Sequence, residues 1–309
     1  MTAPTQPFDP APTADPSPAV GPAPSRRPGM RGLAVAGIVL AAVAVGWGVL
    51  LLVDFARSST TTAHASYRPA PTVELVADGA VHVTAAPGSV QVDRVARSGL
   101  SGPRYAVDQR DDRLVVTHRC TGLGAVLISC SGGLDVTVPE ATHVIVRTSN
   151  GQVVASGLAG DVRLRTSNGR VEATRIGGLL HVETSNGDIA VRDTAGDADL
   201  RTSNGRIHAV GVGGTLTAES SNGHLDLREI GGSARATTSN GSVEIAAVDG
   251  DVTARTSNGD ITVHGGPEPV ALTIRTSNGN QRVEGPTDPD ARRRVEIRTS
   301  NGDVSYLGG

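Results

Sequence analysis

The sequence predicts an all-β chain: a single-chain parallel β-helix, or β-solenoid, of about 18 residues per coil, preceded by one transmembrane helix. Three observations carry this. A Thr-Ser-Asn-Gly tetrad recurs at nearly fixed spacing, apolar residues fall into columns when the copies are aligned, and one long uncharged run precedes them all.

The tetrad places its asparagines at Asn150, Asn168, Asn186, Asn204, Asn222, Asn240, Asn258, Asn278 and Asn301, and one copy begins with Ser220 instead of Thr. The first six intervals are 18 residues each, and the last two are 20 and 23. Such a period marks a stacked repeat, in which no unit can bury its apolar face alone.

Six residues before Asn stands an aliphatic column running from Val144, Val162 and Leu180 to Leu272 and Val295. Four before it runs another, from Val146, Leu164 and Val182 to Ile274 and Ile297, and the tetrad Thr continues the same parity. Alternation with period two is a strand with one face inward. After Asn-Gly a second short strand follows, with inward positions at Val153/Ala155, Val171/Ala173 and their equivalents. A third inward position lies eight after Asn (Leu158, Ile176, Thr194, Val212, Ile230, Val248), and a Gly two residues later ends the unit.

Two architectures can use this unit. In a meander of hairpins, Asn-Gly would be a type I′ turn between antiparallel strands. In a solenoid, equivalent residues stack in parallel. The solenoid is favoured because column identity persists over nine units. The column three before Asn also points to it: Arg147, Arg165, Glu183, Arg201, Glu219, Thr237, Arg255, Arg275, Arg298. There Arg and Glu alternate from 165 to 219, which puts opposite charges on neighbouring strands about 4.8 Å apart. The Asn row is expected to serve the corner, through left-handed backbone at Asn-Gly and amide hydrogen bonds along the axis.

The bulk numbers agree with a slender core. Among 309 residues there are 39 Gly and 18 Pro but only Trp 1, Tyr 3 and Phe 2, so aliphatic side chains must fill the interior. A formal charge of −3 with Arg and Glu interspersed argues against a nucleic-acid partner.

From the N-terminus, nine of the 18 Pro fall in residues 1–30, predicting a disordered cytoplasmic tail. Leu33 to Val53 is 21 residues without a charge, enough to cross a bilayer core of about 30 Å as a helix; the span is set at 31–54. Arg26, Arg27 and Arg31 precede it, so the positive-inside bias keeps the N-terminus cytoplasmic and exports the rest. A cleaved signal peptide is the rival, since Ala63-His64-Ala65 has small-x-small character, but it lies about ten residues past an unusually long apolar run. Residues 55–70 read as a linker. Residues 71–147 read as degenerate coils capping the stack, and 148–309 as the regular solenoid. Cys120 and Cys130, the only two cysteines, are expected to form a disulfide in an exported segment.

Catalysis in a solenoid needs carboxylates grouped on adjacent coils. Asp161, Asp197 and Asp251 lie beside the Gly corner, and Asp188, Asp260 and Asp303 two residues after Asn. Members of each set are separated by coils bearing other residue types, so they read as turn residues. His181, His208, His224 and His264 occupy four registers and form no metal tripod. No catalytic residue, cofactor or metal is expected. A row of Thr could match ice, but its parity points it inward.

Leu134-Asp-Val-Thr-Val-Pro-Glu140, Val144-Ile-Val-Arg-Thr-Ser-Asn-Gly151 and Gly160-Asp-Val-Arg-Leu-Arg-Thr-Ser-Asn-Gly169 resemble a bacterial family of putative adhesins, domains of undefined function with repeated Thr-Ser-Ser/Asn-Gly turns. The resemblance covers roughly residues 70–309 and implies a β-helical exported domain behind a membrane segment; the Pro-, Ala- and Arg-rich style resembles actinobacterial proteins. The function expected is a non-catalytic adhesin or envelope interaction module anchored in the membrane, with Arg147, Arg165, Glu183, Arg201, Glu219, Arg255, Arg275 and Arg298 as its candidate face. Its partners would be cell-envelope components or surface proteins. The alternative is a glycan-processing β-helix enzyme, hydrolase or lyase. The chain stops soon after the last tetrad, so an open C-terminal coil is expected to invite self-association.

Overall fold

A computed structural model describes residues 30–121 and 130–308; the Pro-rich tail and the segment between the cysteines lie outside the described residues. One helix, Met30–Ala56, contains a stretch of 20 residues with mean hydropathy 2.4, Gly37–Ala56, long and apolar enough to cross a membrane. Among the described residues twenty-five strands follow, in one sheet of 12 and one of 13.

The chain is a parallel β-solenoid. Each regular coil gives the strand before the tetrad to the 12-stranded sheet, as in Val162–Arg165, and the strand after it to the 13-stranded sheet, as in Val171–Ile176. Equivalent residues pair in parallel: Val162 with Leu180 and Leu164 with Val182 in the first sheet, Val171 with Ile189 and Ala173 with Val191 in the second. The inward columns fill the space between the sheets with almost no solvent access. The tetrad hydroxyls point inward as their parity requires, and Thr166, Thr184, Thr202, Ser220, Thr238 and Thr256 are all buried.

The inward positions three, five and eight after Asn break the alternation, and the backbone absorbs the break at position seven. There Gly157, Arg175, Asp193, Gly211, Glu229 and Ala247 all adopt positive φ, from 53° to 73°. In the ladder, Thr174 pairs with Arg192 and Ile176 with Thr194, while Arg175 is skipped. Each coil thus carries a left-handed bulge that bends the strand and returns the next side chain to the core.

The Asn-Gly corner works otherwise. Among the described residues no Asn has positive φ, and of the corner glycines only Gly259 (φ 156°) and Gly302 (φ 149°) do, so the left-handed backbone expected there is not a general requirement of the corner. The glycine is required by proximity: a Cβ on Gly187 would lie 1.8 Å from the carbonyl oxygen of Gly169, and one on Gly205 1.8 Å from that of Gly187. That same carbonyl accepts the hydroxyl of the next tetrad, as with Thr202 and Gly187 at 3.0 Å. Coils are drawn too close at this corner for any side chain.

Chain order and stacking order diverge at both ends. The coil made by Thr72–Ala77 and Val81–Ala85 lies between that of His143–Thr148 and Val153–Ser156 and that of Arg113–Arg119 and Ser131–Val138. Beyond the latter, three strands run antiparallel: Val90–Ser98 on Ser131–Val138, Ser59–Tyr67 on Val90–Ser98, and Arg104–Gln109 on Arg113–Arg119. Residues 71–147 are therefore only partly coils, and the segment 55–70 holds a strand as well as linker. Here the Tyr67 and Tyr105 hydroxyls meet at 2.7 Å and the Arg94 guanidinium lies 4.2 Å over the Tyr105 ring.

At the other end, Arg294–Asn301 pairs with both Val252–Arg255 and Ala271–Asn278, and Val304–Leu307 pairs with both Ile261–His264 and Gln281–Val283. The C-terminal coil is sandwiched, not open, which corrects the expectation of a bare C-terminus. The outermost coil is Ala271–Val283, whose Leu272 and Ile274 are only partly buried and whose Val283 is exposed. The final coil carries Tyr306 in the inward column, and the bulk of its ring lies where Gly265 and Gly285 have no side chain.

Candidate interaction face

The Asn column forms one unbroken amide chain. Nδ2 of each Asn donates to Oδ1 of the next at 2.8–3.0 Å, running 168 to 150, 186 to 168, 204 to 186, 222 to 204, 240 to 222 and 258 to 240. It continues from Asn301 to Asn258 and from Asn278 to Asn301, following the stack and not the chain. The amides bond one another along the axis, so the row forms a structural ladder.

The aspartates beside the two corners are also engaged. Asp161 accepts the backbone N–H of Leu179 at 2.9 Å, Asp197 that of Thr215 at 2.7 Å and Asp251 that of Arg294 at 2.8 Å. Asp188 accepts from Arg206, Asp260 from Asp303, and Asp303 from Asn280. Each carboxylate clips its coil to the next at a corner, where the sheet ladders lapse and a backbone donor needs a partner. The histidines pair along the axis too: His82 with Asp135 at 2.6 Å, His208 with Asp226 at 3.0 Å and His181 with Asp199 at 3.3 Å. Sequence inspection of single columns missed this, because each His had to be compared with the same register one coil away. His118 is buried beneath the antiparallel strands, and loss of hydration lowers its pKa. Among the described residues no group of three His, Cys, Asp or Glu is arranged to hold a metal ion. Cys120 and Cys130 are joined in a disulfide.

The outward Arg and Glu column lies in register on the 12-stranded sheet, and much of it is neutralised internally. Arg147 pairs with the buried Glu74 at 3.0 Å, and Arg113 binds the same carboxylate. Arg165 meets Glu183 at 3.0 Å and Arg201 meets Glu219 at 3.1 Å. Near the C-terminal end the alternation stops: Arg255, Arg298 and Arg275 follow one another in register. Glu296 alone sits among them, 3.1 Å from Arg255 and 2.6 Å from Arg298. The hydrogen bond from Arg255 holds the Glu296 carboxyl below the usual carboxylate range, with the charges of Arg298 and Arg275 adding to it.

A second feature escaped the sequence. An open groove of about 660 Å³ runs along the left-handed corner, with Asp193, Gly211, Glu229 and Ala247 along its floor and rim.

No curated protein matches the chain in sequence. Among solved structures, a putative adhesin from Bacteroides fragilis is similar at 12% identity, covering 81% of this chain and 97% of that one, with a TM-score of 0.41. A putative lipid binding protein from Parabacteroides distasonis is similar at 11% identity, covering 81% and 97%, with a TM-score of 0.40. The family profile described as Toastrack DUF4097 matches residues 95–306, from the antiparallel strands through the last coil. The chain belongs to the Toastrack DUF4097 family.

Proposed function

We propose that the chain is a non-catalytic, membrane-anchored module that presents its solenoid outside the membrane and binds cell-envelope or surface components through its outward columns. The observation that carries this is the use of the aspartates. The carboxylates that a glycan-cleaving β-helix would recruit as acid and base are bound to backbone donors of the neighbouring coil, and they serve the stack. The surfaces left for partners are the long flat ones, ribbed with Arg, Glu, Ser and Thr at strand spacing.

The apolar helix supports anchoring, and the disulfide supports an oxidising compartment for the residues after it. The basic residues before the span support a cytoplasmic N-terminus. Protease protection of the full chain in intact cells tests the orientation: externally added protease should remove the solenoid and spare the tail. Pull-down with isolated cell envelopes tests binding. Turnover on a polysaccharide panel that is abolished by Asp161→Ala or Asp197→Ala would overturn the non-catalytic assignment.

A further inference from the structure

The columns of the 12-stranded sheet are not equivalent along their length. In the middle coils Arg and Glu alternate, and each guanidinium finds a carboxylate one coil away. At the far end three guanidiniums, those of Arg255, Arg298 and Arg275, are stacked on three adjacent strands in a single register. In-register like charges about 4.8 Å apart repel, and the sheet offers them one carboxylate. Glu296 is already shared between Arg255 and Arg298, and Arg275 forms no ion pair among the described residues. The outermost coil therefore ends the stack on an uncompensated cationic rib that is open to solvent.

We infer that this rib is a binding site for an acidic polysaccharide carrying a carboxylate on each sugar, laid along the stacking axis. The inference rests on the interaction-module function proposed above and names its ligand class. Guanidinium forks recognise carboxylates in bidentate fashion, and stacking holds three such forks in line on a rigid sheet. Ser257, Ser300 and Ser277 run parallel to the rib two residues on, on the same outer face, and are exposed. Their hydroxyls are both donors and acceptors, as sugar hydroxyls require. This face carries no aromatic side chain, whereas single-stranded nucleic acid is held by stacking on aromatic rings, so a glycan fits better than a nucleic acid.

The test uses the full chain in detergent micelles and immobilised polygalacturonate, with neutral dextran and oligo(dT) as comparison surfaces. The expected result is saturable binding to polygalacturonate alone. The Arg298→Gln/Arg275→Gln double variant should bind at least about tenfold more weakly, and its log affinity should depend less steeply on log salt, by about one to two units. Arg97→Gln, exposed on the antiparallel strand Val90–Ser98 and outside the candidate face, should bind as wild type does. The Arg298→Lys/Arg275→Lys variant keeps the charge and so separates loss of binding from loss of folding: it should retain the salt dependence at reduced affinity. Equal binding to dextran, tighter binding to oligo(dT), or wild-type affinity in the Gln variant would overturn the proposal. If the full chain binds isolated envelopes and the Gln variant binds them equally well, this site is wrong and the module function stands. If the full chain binds no envelope component, both fall.

Discussion

The two corners of each coil reach the same end by opposite means. At the Asn-Gly corner the Asn backbone is ordinary and the spacing extreme: successive glycines approach so closely that a Cβ would meet a carbonyl oxygen at about 2 Å, and side-chain amides lace the coils together. At the corner seven residues on, the spacing is ordinary and the backbone unusual: a left-handed residue resets the parity of the strand, whatever its side chain. Repetition at the first corner is therefore chemical, always Asn-Gly. At the second it is conformational, and the sequence varies through Gly, Arg, Asp, Glu and Ala. A repeat is visible in sequence where neighbours touch, and hidden where only φ and ψ are shared.

The same substitution at both corners separates the two constraints. Gly205→Ala should destabilise by at least about 3 kcal/mol in denaturant unfolding, because its Cβ meets the Gly187 backbone and nothing flexible can yield. Gly211→Ala, at φ 73°, would have a side-chain carboxylate oxygen of Asp193 at 3.2 Å as its nearest neighbour, and should cost only about 1 kcal/mol for the left-handed conformation. Equal losses would show that the corners obey one rule.

Removing a rung comes next in size. Asn204→Ala deletes the amide bonds to Asn186 and Asn222 and should cost about 1–2 kcal/mol, which thermal unfolding by circular dichroism would read. At the left-handed corner the predicted sign reverses. Glu229→Gly should stabilise by about 1 kcal/mol, since glycine adopts φ 58° without strain. Thr194→Val, one residue beyond Asp193, should also stabilise by about 1 kcal/mol. Its hydroxyl is buried in an otherwise aliphatic column with no hydrogen-bond partner, and valine has nearly the same shape. A loss of stability in either variant would mean that the side chain removed serves the corner in some other way.

Thr194 illustrates what was legible and what was not. As the one polar residue in its column it stands out in the aligned repeats, and its burial follows from parity. The residue before it, Asp193, gives no sign of its left-handed backbone, because the requirement arises from geometry that any residue can be forced to meet. The aspartate clips were half legible: the positions beside the corners were evident, but their acceptors are backbone N–H groups of another coil, and backbone groups carry no sequence signal. The outward charges are legible in the sequence as a column. Its division into a neutralised stretch and a cationic rib appears only when each Arg is given its partners, among them Glu74, some 70 residues before Arg147 in the chain.

The coil, its period and its inward and outward faces are written in the residues, because they follow from local alternation and from identical neighbours stacking at strand spacing. Tertiary structure alone decided the order of the coils at the two ends. A 23-residue interval between Asn278 and Asn301 permits the last coil either to cap the stack or to slip beneath its predecessor, and local residues cannot distinguish the two. Slipping beneath pairs both edges of the C-terminal strands and buries Tyr306, and the strand edges left without partners belong to Ala271–Asn278 and Gln281–Val283. The choice rests on hydrogen bonds and burial summed over strands far apart in the chain, which only the assembled stack contains.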